Sequence, residues 1–425
     1  MSRSILWHNA FIMALVTCPG FVDAHSHDDT ALLSDPARPI KRRQGIVHQV
    51  IGNCGLTPFP LVPGDQPEYE KFLHSVLGEC PCRDEGIHER TGDFIGKMPA
   101  NISTLLGYNS LRVRLFGYLD RPLDAGERRL ARKGIQDALD GGAIGVSIGL
   151  AYLPAVAADA EEISAIADVS PLLTVHMRNE STHVLESLDE MGAAVSSARA
   201  RGSRCHLHIS HLKIAGERNW PLWDRLLQRV LFWREELGIT FDHYPFSFGS
   251  TGLAALLPPE FGRLPRKELA RVHASAIEER FADTDWENYI HFAGPENLTF
   301  AGLTYWPHLN GTTLEGQNVA ELIRDMVLSE PNPAILIKGQ SDKVIDELLK
   351  LPFGCIGSDA LPDVPEHPRL TSTFPEYLAR MKRLGQTLEF AVDKASRLPR
   401  KIFGIRNEDE ISIDRDSFRI GFSPA

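Results

Sequence analysis

GFVDAHSHDD, residues 20–29, sets two histidines one residue apart at the end of a short apolar run, with two aspartates directly behind. A strand turns successive side chains to opposite faces, so His25 and His27 point the same way while small Ser26 turns away. Such a strand end offers two imidazoles to one metal ion; two hydrogen-bonded surface histidines are the plainer alternative. Phe21 and Val22, reached through Pro19 and Gly20, fit a buried strand that leaves a turn. The rest of the chain decides between the two readings.

Working outward, seven further β-rich runs follow at 46–55, 101–110, 142–152, 171–180, 205–213, 239–246 and 352–360, after a first run at 20–27. They alternate with helical patterns such as 127–139 and 222–237, the latter with Trp223 and Trp233 as core residues. Eight parallel strands with intervening helices predict an α/β protein with a (β/α)8, TIM-like barrel. Polar residues gather at the strand ends: His25 and His27 on the first, Cys54 on the second, His176 on the fifth, His211 on the sixth and Asp359 on the eighth. Barrel active sites lie at the C-terminal ends of the strands, so these six converge on one mouth. Each alone has a structural reading: Cys54 as a small buried apolar residue, His176 as a core histidine, Asp359 as a turn former. Their joint placement favours a site. One thiolate, several imidazoles and a carboxylate suit zinc; magnesium and calcium prefer oxygen ligands.

At 425 residues the chain exceeds a typical domain of ~100–200, but α/β barrels run longer as one unit. Hydrophobic residues at 43% and charged residues at 24% describe an ordinary globular protein. The net charge of −11 argues against nucleic acid and against an anionic membrane surface as partners. The basic run Lys41-Arg42-Arg43 reads as a solvated helix face. Six cysteines, at 18, 54, 80, 82, 205 and 355, are too sparse for a disulfide scaffold, so a reducing, cytoplasmic location is expected. Cys80-Pro81-Cys82 lacks a matching second pair and reads as a loop. The apolar stretch 5–18 follows Arg3 but contains His8 and Asn9, has no clean small-residue cleavage site, and runs directly into the first strand. It reads as a terminal strand or helix. No run approaches the ~18 apolar residues of a membrane span.

The segments PGFVDAHSHDD, GNCGLTPFP, GVSIGLAYLP, VHMRNES, ISHLK, DHYPFSFGST and GSDALPDVPEHPRL resemble, in order and combination, the N-acyl-D-amino-acid deacylase (D-aminoacylase) branch of the amidohydrolase superfamily. The resemblance covers roughly residues 19 to 405. Dihydroorotases and hydantoinases are similar in the His-x-His strand, but typically hold two metals with a carboxylated lysine, whereas the cysteine of GNCG is similar to the deacylase pattern. The resemblance implies a tightly held zinc on Cys54, His176 and His211, and a second, weaker metal position on His25, His27 and Asp359. It implies Asp359 as general base and acid, and Tyr152, Lys213 and Arg369 as the cradle of a substrate's α-carboxylate. Two cations and a phenol make chemical sense for that task. Tyr244, of DHYPF, is either core or pocket lining. The implied activity is hydrolysis of an N-acyl-D-amino acid to a carboxylic acid and a D-amino acid, with that small molecule as the only partner. Oligomeric state is left open.

The same resemblance divides the chain into an N-terminal β-domain remnant at 1–18, barrel strands one to seven within 19–255, and an inserted lid at 256–306. The end of the barrel follows at 307–404, and a C-terminal β-segment at 405–425. Family members carry a fuller β-sandwich at their termini, so the small domain is expected to be incomplete here. Tyr108 of GYNS stands where the family usually carries histidine, and the helix between Tyr152 and His176 looks short. The alternatives are a catalytically impaired relic, a cyclic amidase of the dihydroorotase or hydantoinase kind, and a serine hydrolase. The last is suggested by GVSIG, 145–149, which matches a Gly-x-Ser-x-Gly elbow at Ser147, with Asp242 or Asp359 and then His367 downstream. That elbow requires a helix directly after the serine, and LAYLPAV reads as strand and loop.

Overall fold

The computed structural model describes residues 15–61, 67–78, 90–331, 333–362, 364, 367–407 and 409–421. Most of the N-terminal apolar stretch and the Cys80-Pro81-Cys82 segment lie outside them.

All eight expected strands form, each shorter than its sequence run: Phe21–Asp23, Ile46–Ile51, Ile102–Thr104 continued by Leu106–Gly107, Val146–Gly149, Leu172–His176, His206–Ile209, Thr240–His243 and Gly354–Ile356. Every pairing among them is parallel. The second half of the third strand through the eighth make a six-stranded sheet, and the first strand, the second and the first half of the third make a three-stranded one. Backbone bonds run on across both seams. Leu105 N donates to Ile51 O at 2.9 Å and Ile144 N to Thr104 O at 2.9 Å; at the other seam Ala24 N donates to Ile356 O at 3.1 Å and Asp359 N to His25 O at 2.7 Å. Ser26 and Ala360 add a parallel bridge there. Val146–Gly149 and Leu172–His176 are buried at every residue, as expected of a parallel sheet covered on both faces.

The helices follow local chemistry. Ala125–Asp140 starts at a capping box in which the Asp124 side chain accepts from Glu127 N and the Glu127 side chain accepts from Asp124 N. Trp223–Leu237 stops at Gly238, whose φ of 67° lies in the left-handed region. Trp223 is buried; Trp233 is half-buried and donates to Asp189 Oδ1 at 2.8 Å.

One basic residue departs from the sequence reading. Lys41 is not on a solvated face: it is buried, with Nζ 2.8 Å from both Asp23 Oδ2 and Ser358 Oγ, while Arg42 and Arg43 are exposed. A buried ammonium needs a counter-charge, and Asp23 on the first strand supplies it. The network ties the first strand to the loop after the eighth, directly beneath Asp359.

Between the seventh and eighth strands lies a separate antiparallel layer, in which Phe248–Gly252 and Leu298–Ala301 both pair with Ala334–Lys338. Its own core includes Leu253, Leu256, Phe300, Ile323 and Ile335. The layer therefore begins before residue 256 and runs past residue 306, the limits expected for the inserted segment. At the chain ends Leu15–Pro19 pairs antiparallel with Glu410–Asp414, which also pairs with Ile420–Gly421. Among the described residues no helix is long and apolar enough to cross a membrane.

Candidate active site

The loops leaving the strand ends bring the six predicted residues together. His25, His27, Cys54 and Asp359 form one buried group whose donor atoms lie within 4.8 Å of one another; Cys54, His176 and His211 form a second, and Cys54 belongs to both. Cys54 Sγ is 3.4 Å from His25 Nε2 and 3.3 Å from His211 Nε2. Asp359 Oδ1 lies 3.4 Å from His25 Nε2 and 3.2 Å from His27 Nε2. Cys54, His211 and Asp359 all have positive φ, at 54°, 36° and 50°. Non-glycine residues held there cost about 1–3 kcal/mol each, so the fold spends backbone strain on aiming these three side chains. Gly149 makes the aim possible at Cys54, because a Cβ there would sit 2.2 Å from the Cys54 carbonyl oxygen.

Charges around the cluster set protonation. Burial alone would raise the Cys54 thiol, yet His25 and His211 beside it hold it well below its ordinary range. Burial likewise opposes ionisation of Asp359, and Arg369, with His211 and the histidines of the first strand, holds its carboxyl well below the usual carboxylate range. Arg369 is itself buried, bonded through Nη1 to Asp359 Oδ2 and through Nη2 to Ser250 Oγ at 3.1 Å, with its guanidinium 4.8 Å from the centre of the Tyr244 ring. Its Nε has no partner. Tyr244 is buried and its hydroxyl accepts from Gln340 Nε2 at 2.9 Å, so it is both packed and pocket-lining.

Lys213 is already paired: its ammonium lies on Glu180 Oε2 and 2.8 Å from His211 Nδ1. The Tyr152 ring lies 4.7 Å from that of His176, tilted at 53°. Tyr152, Lys213, Tyr244 and Arg369 all line one cavity of about 60 Å³ with His27, Cys54, His176, His211 and Asp359. Ser147 does not reach it as a nucleophile. Fully buried, Ser147 Oγ accepts from Gly55 N at 2.9 Å and donates to Gly52 O, while His367 bonds Phe248 O and Arg369 N.

No protein-family model matches the chain. An N-acyl-D-glutamate deacylase of Alcaligenes xylosoxydans xylosoxydans is 28% identical over 411 residues, covering 94% of this chain and 75% of that protein. A D-aminoacylase of the same organism is 28% identical over 432 residues, covering 97% and 79%. Among solved structures, a D-aminoacylase with a binuclear metal centre superimposes with a TM-score of 0.74 at 25% identity over 94% of this chain and 80% of that one. The N-acyl-D-glutamate deacylase of Bordetella bronchiseptica, solved with zinc and a phosphonate mimic of the tetrahedral intermediate, gives 0.75 at 25% identity over 95% and 80%. The chain is a relative of the N-acyl-D-amino-acid deacylases.

Beside the residues expected of a deacylase, three carboxylates take roles that only the structure shows. Asp242 accepts from His208 and His25, with Oδ2 3.1 Å from His208 Nε2 and 3.2 Å from His25 Nδ1, and its Oδ1 takes His211 N at 3.1 Å. It thereby fixes which nitrogen of His25 faces Cys54. Glu180 sits among Lys213, His211 and His176; burial opposes its charge, but the Lys213 ammonium, with the two histidines beside it, holds it at about 2. Its place four residues after His176 in VHMRNES was a usable signal. Glu287 comes from the insertion and accepts from Glu180 N and Ser181 Oγ, both at 3.1 Å. Burial, with the Glu180 charge adding to it, pushes Glu287 up to about 8. Tyr108, the departure from the deacylase pattern, donates to Glu162 at 2.9 Å and belongs to neither ligand group.

Proposed function

We propose that the chain is a zinc-dependent hydrolase of N-acyl-D-amino acids, releasing a carboxylic acid and a D-amino acid. The observation that carries this reading is the pair of buried donor groups sharing Cys54, opening on a cavity lined by a buried arginine. The donors suit the metal. Neither ring nitrogen of His176 has a hydrogen-bond partner, nor does His27 Nδ1, and buried imidazoles are left that way at a cost unless a ligand completes them. Cys54, His176 and His211 would hold the tight zinc, with His25, His27 and Asp359 as the weaker position. When bound, zinc supplies Lewis acidity, polarising a carbonyl and acidifying water.

The chain's own residues do the rest. Asp359, kept ionised by Arg369, takes the proton of the attacking water and returns it to the leaving nitrogen. The open Nε of Arg369 and the ammonium of Lys213, with Tyr152 and Tyr244 alongside, receive the α-carboxylate. Glu180 holds Lys213 in place. Backbone bonds across both seams support a closed eight-stranded barrel beneath the site, the layer between the seventh and eighth strands serves as its lid, and the terminal strands make a small β-domain beside it. A small N-acyl amino acid is the partner, in a cytoplasmic setting.

Metal analysis of the purified protein, together with a panel of N-acetyl D- and L-amino acids, tests the proposal. About one tightly bound zinc, lost in Cys54→Ala, and hydrolysis confined to D-substrates are expected. Full zinc content in Cys54→Ala would overturn the ligand assignment, and preference for L-substrates the stereochemical one.

A further inference from the structure

Behind His25 a line of polar side chains runs from the foot of the strands to the donor groups at their tips. His206 opens the sixth strand and Thr240 the seventh. His206 and His208 sit two residues apart, as do Thr240 and Asp242, so each pair shares one face of its strand. The register sets His208 beside Thr240. Thr240 Oγ1 lies 2.7 Å from His206 Nε2 and 2.7 Å from His208 Nδ1; His208 Nε2 lies 3.1 Å from Asp242 Oδ2, and that same oxygen is 3.2 Å from His25 Nδ1. Thr240, His208 and Asp242 are buried, the Phe403 ring lies 5.3 Å from that of His208, and of the four only His206 is partly exposed.

What each group can donate fixes the arrangement. A carboxylate only accepts, so hydrogens sit on His208 Nε2 and His25 Nδ1, which leaves Nε2 of His25 facing Cys54 Sγ and Asp359 Oδ1. A hydroxyl has one hydrogen, so Thr240 donates to one imidazole and accepts from the other. Both nitrogens of His208 are thereby engaged, and its ring is held from two sides. We propose that Thr240 and His208 are positioning residues of the metal centre, holding Asp242, and through it the His25 imidazole, in the orientation that binds the weaker zinc. The inference rests on the ligand assignment above. Continuity is its first support: every link from His206 Nε2 to His25 Nδ1 is 3.2 Å or shorter. Selectivity is the second. Thr174 flanks His208 on the other side, paired with it in the register of the fifth and sixth strands, yet Thr174 Oγ1 has no hydrogen-bond partner. Without the Thr240 hydroxyl, His208 Nδ1 would be orphaned in the core, which a buried imidazole relieves by rotating. Asp242 would then lose one of the three donors that fix it, His208 Nε2, His25 Nδ1 and His211 N.

Three variants test the chain. Thr240→Val removes the hydroxyl, Thr240→Ser restores it, and Thr174→Val is the matched control on the neighbouring strand. Each protein, loaded with one equivalent of zinc, is titrated calorimetrically with a second. Expected is a Kd for the second zinc raised about tenfold or more in Thr240→Val and within about twofold of the parent in Thr240→Ser and Thr174→Val, with the first zinc retained in all. Parental affinity in Thr240→Val, an equal loss in Thr174→Val, failure of serine to restore binding, or loss of the first zinc as well would each overturn the proposal. A second measurement needs no variant and no metal: in the zinc-free parent labelled with 15N-histidine, imidazole hydrogens protected from exchange are expected on His208 Nε2 and His25 Nδ1. Hydrogens on the other nitrogens of those rings, or none protected, would overturn it equally. A parent that holds one tight zinc but takes up no second refutes the weaker position and this proposal with it, while the deacylase reading stands; a parent that holds no zinc refutes that reading.

Discussion

Replacing Glu287 by glutamine should stabilise the protein in alkaline solution and leave it unchanged in acid. Glu287 is 5% exposed, and its carboxylate faces the Glu180 charge at the edge of the catalytic cavity. Burial first, then Glu180, raises it to about 8 from an ordinary 4.5. Because the folded-state value is the higher one, the folded protein binds the extra proton between those limits, and stability falls as pH rises through that window. Below about 4.5 both states are protonated and the group costs nothing; above about 8 the full penalty is present. The gap, at about 1.4 kcal/mol per pH unit, sets a ceiling of roughly 5 kcal/mol. Glutamine keeps an acceptor oxygen for Glu180 N and Ser181 Oγ but carries no charge. For a chain of this length 1 kcal/mol corresponds to roughly 1 °C in Tm, so Glu287→Gln should gain up to about 5 °C at pH 9 and nothing at pH 4.5. The assay is thermal unfolding of both proteins at pH 4.5, 7 and 9 with equal zinc content. A Tm difference that does not change with pH, or one that grows toward acid, would refute the reasoning.

Asp359→Asn should retain the tight zinc while kcat falls by roughly 10²–10⁴, the usual contribution of a general acid–base; near parental turnover with zinc retained would remove Asp359 from proton transfer. Arg369→Met should raise KM far more for an N-acyl amino acid than for its uncharged amide, by on the order of 2–5 kcal/mol, and equal losses on both would exclude the arginine from carboxylate binding. Ser147→Ala should destabilise the protein by about 1–3 kcal/mol, because it strips the buried Gly55 N of its acceptor, yet leave turnover per zinc-loaded molecule near the parent. A collapse of turnover with zinc retained would instead favour serine chemistry.

Much of this site was legible because its residues sit at strand ends, where a local pattern suffices. His25 and His27 share a face by strand alternation alone, and Cys54, His176, His211 and Asp359 each close a recognisable apolar run. The inserted layer was misjudged because Phe248–Gly252 pairs with Ala334–Lys338 across a long intervening segment, and no local pattern reports a partner so distant. Lys41 misled for the same reason. In sequence it belongs to a basic run; in space Asp23 and Ser358 enclose it.

The sequence by itself determined the eight parallel strands and which of them end in metal-type donors, since continuous apolar runs and the residues that terminate them are local properties. Only tertiary structure decided that the two donor groups share a residue. Cys54 belongs to both groups because the left-handed backbone at residues 54, 211 and 359 turns three side chains inward, and Gly149 leaves space for it. The partners of the carboxylates behind the donors were equally hidden: Asp242 reaches His25 from 217 residues away and Glu287 reaches Glu180 from 107. Charge pairing across such separations depends on which elements pack together, and that is settled by burial of the whole core.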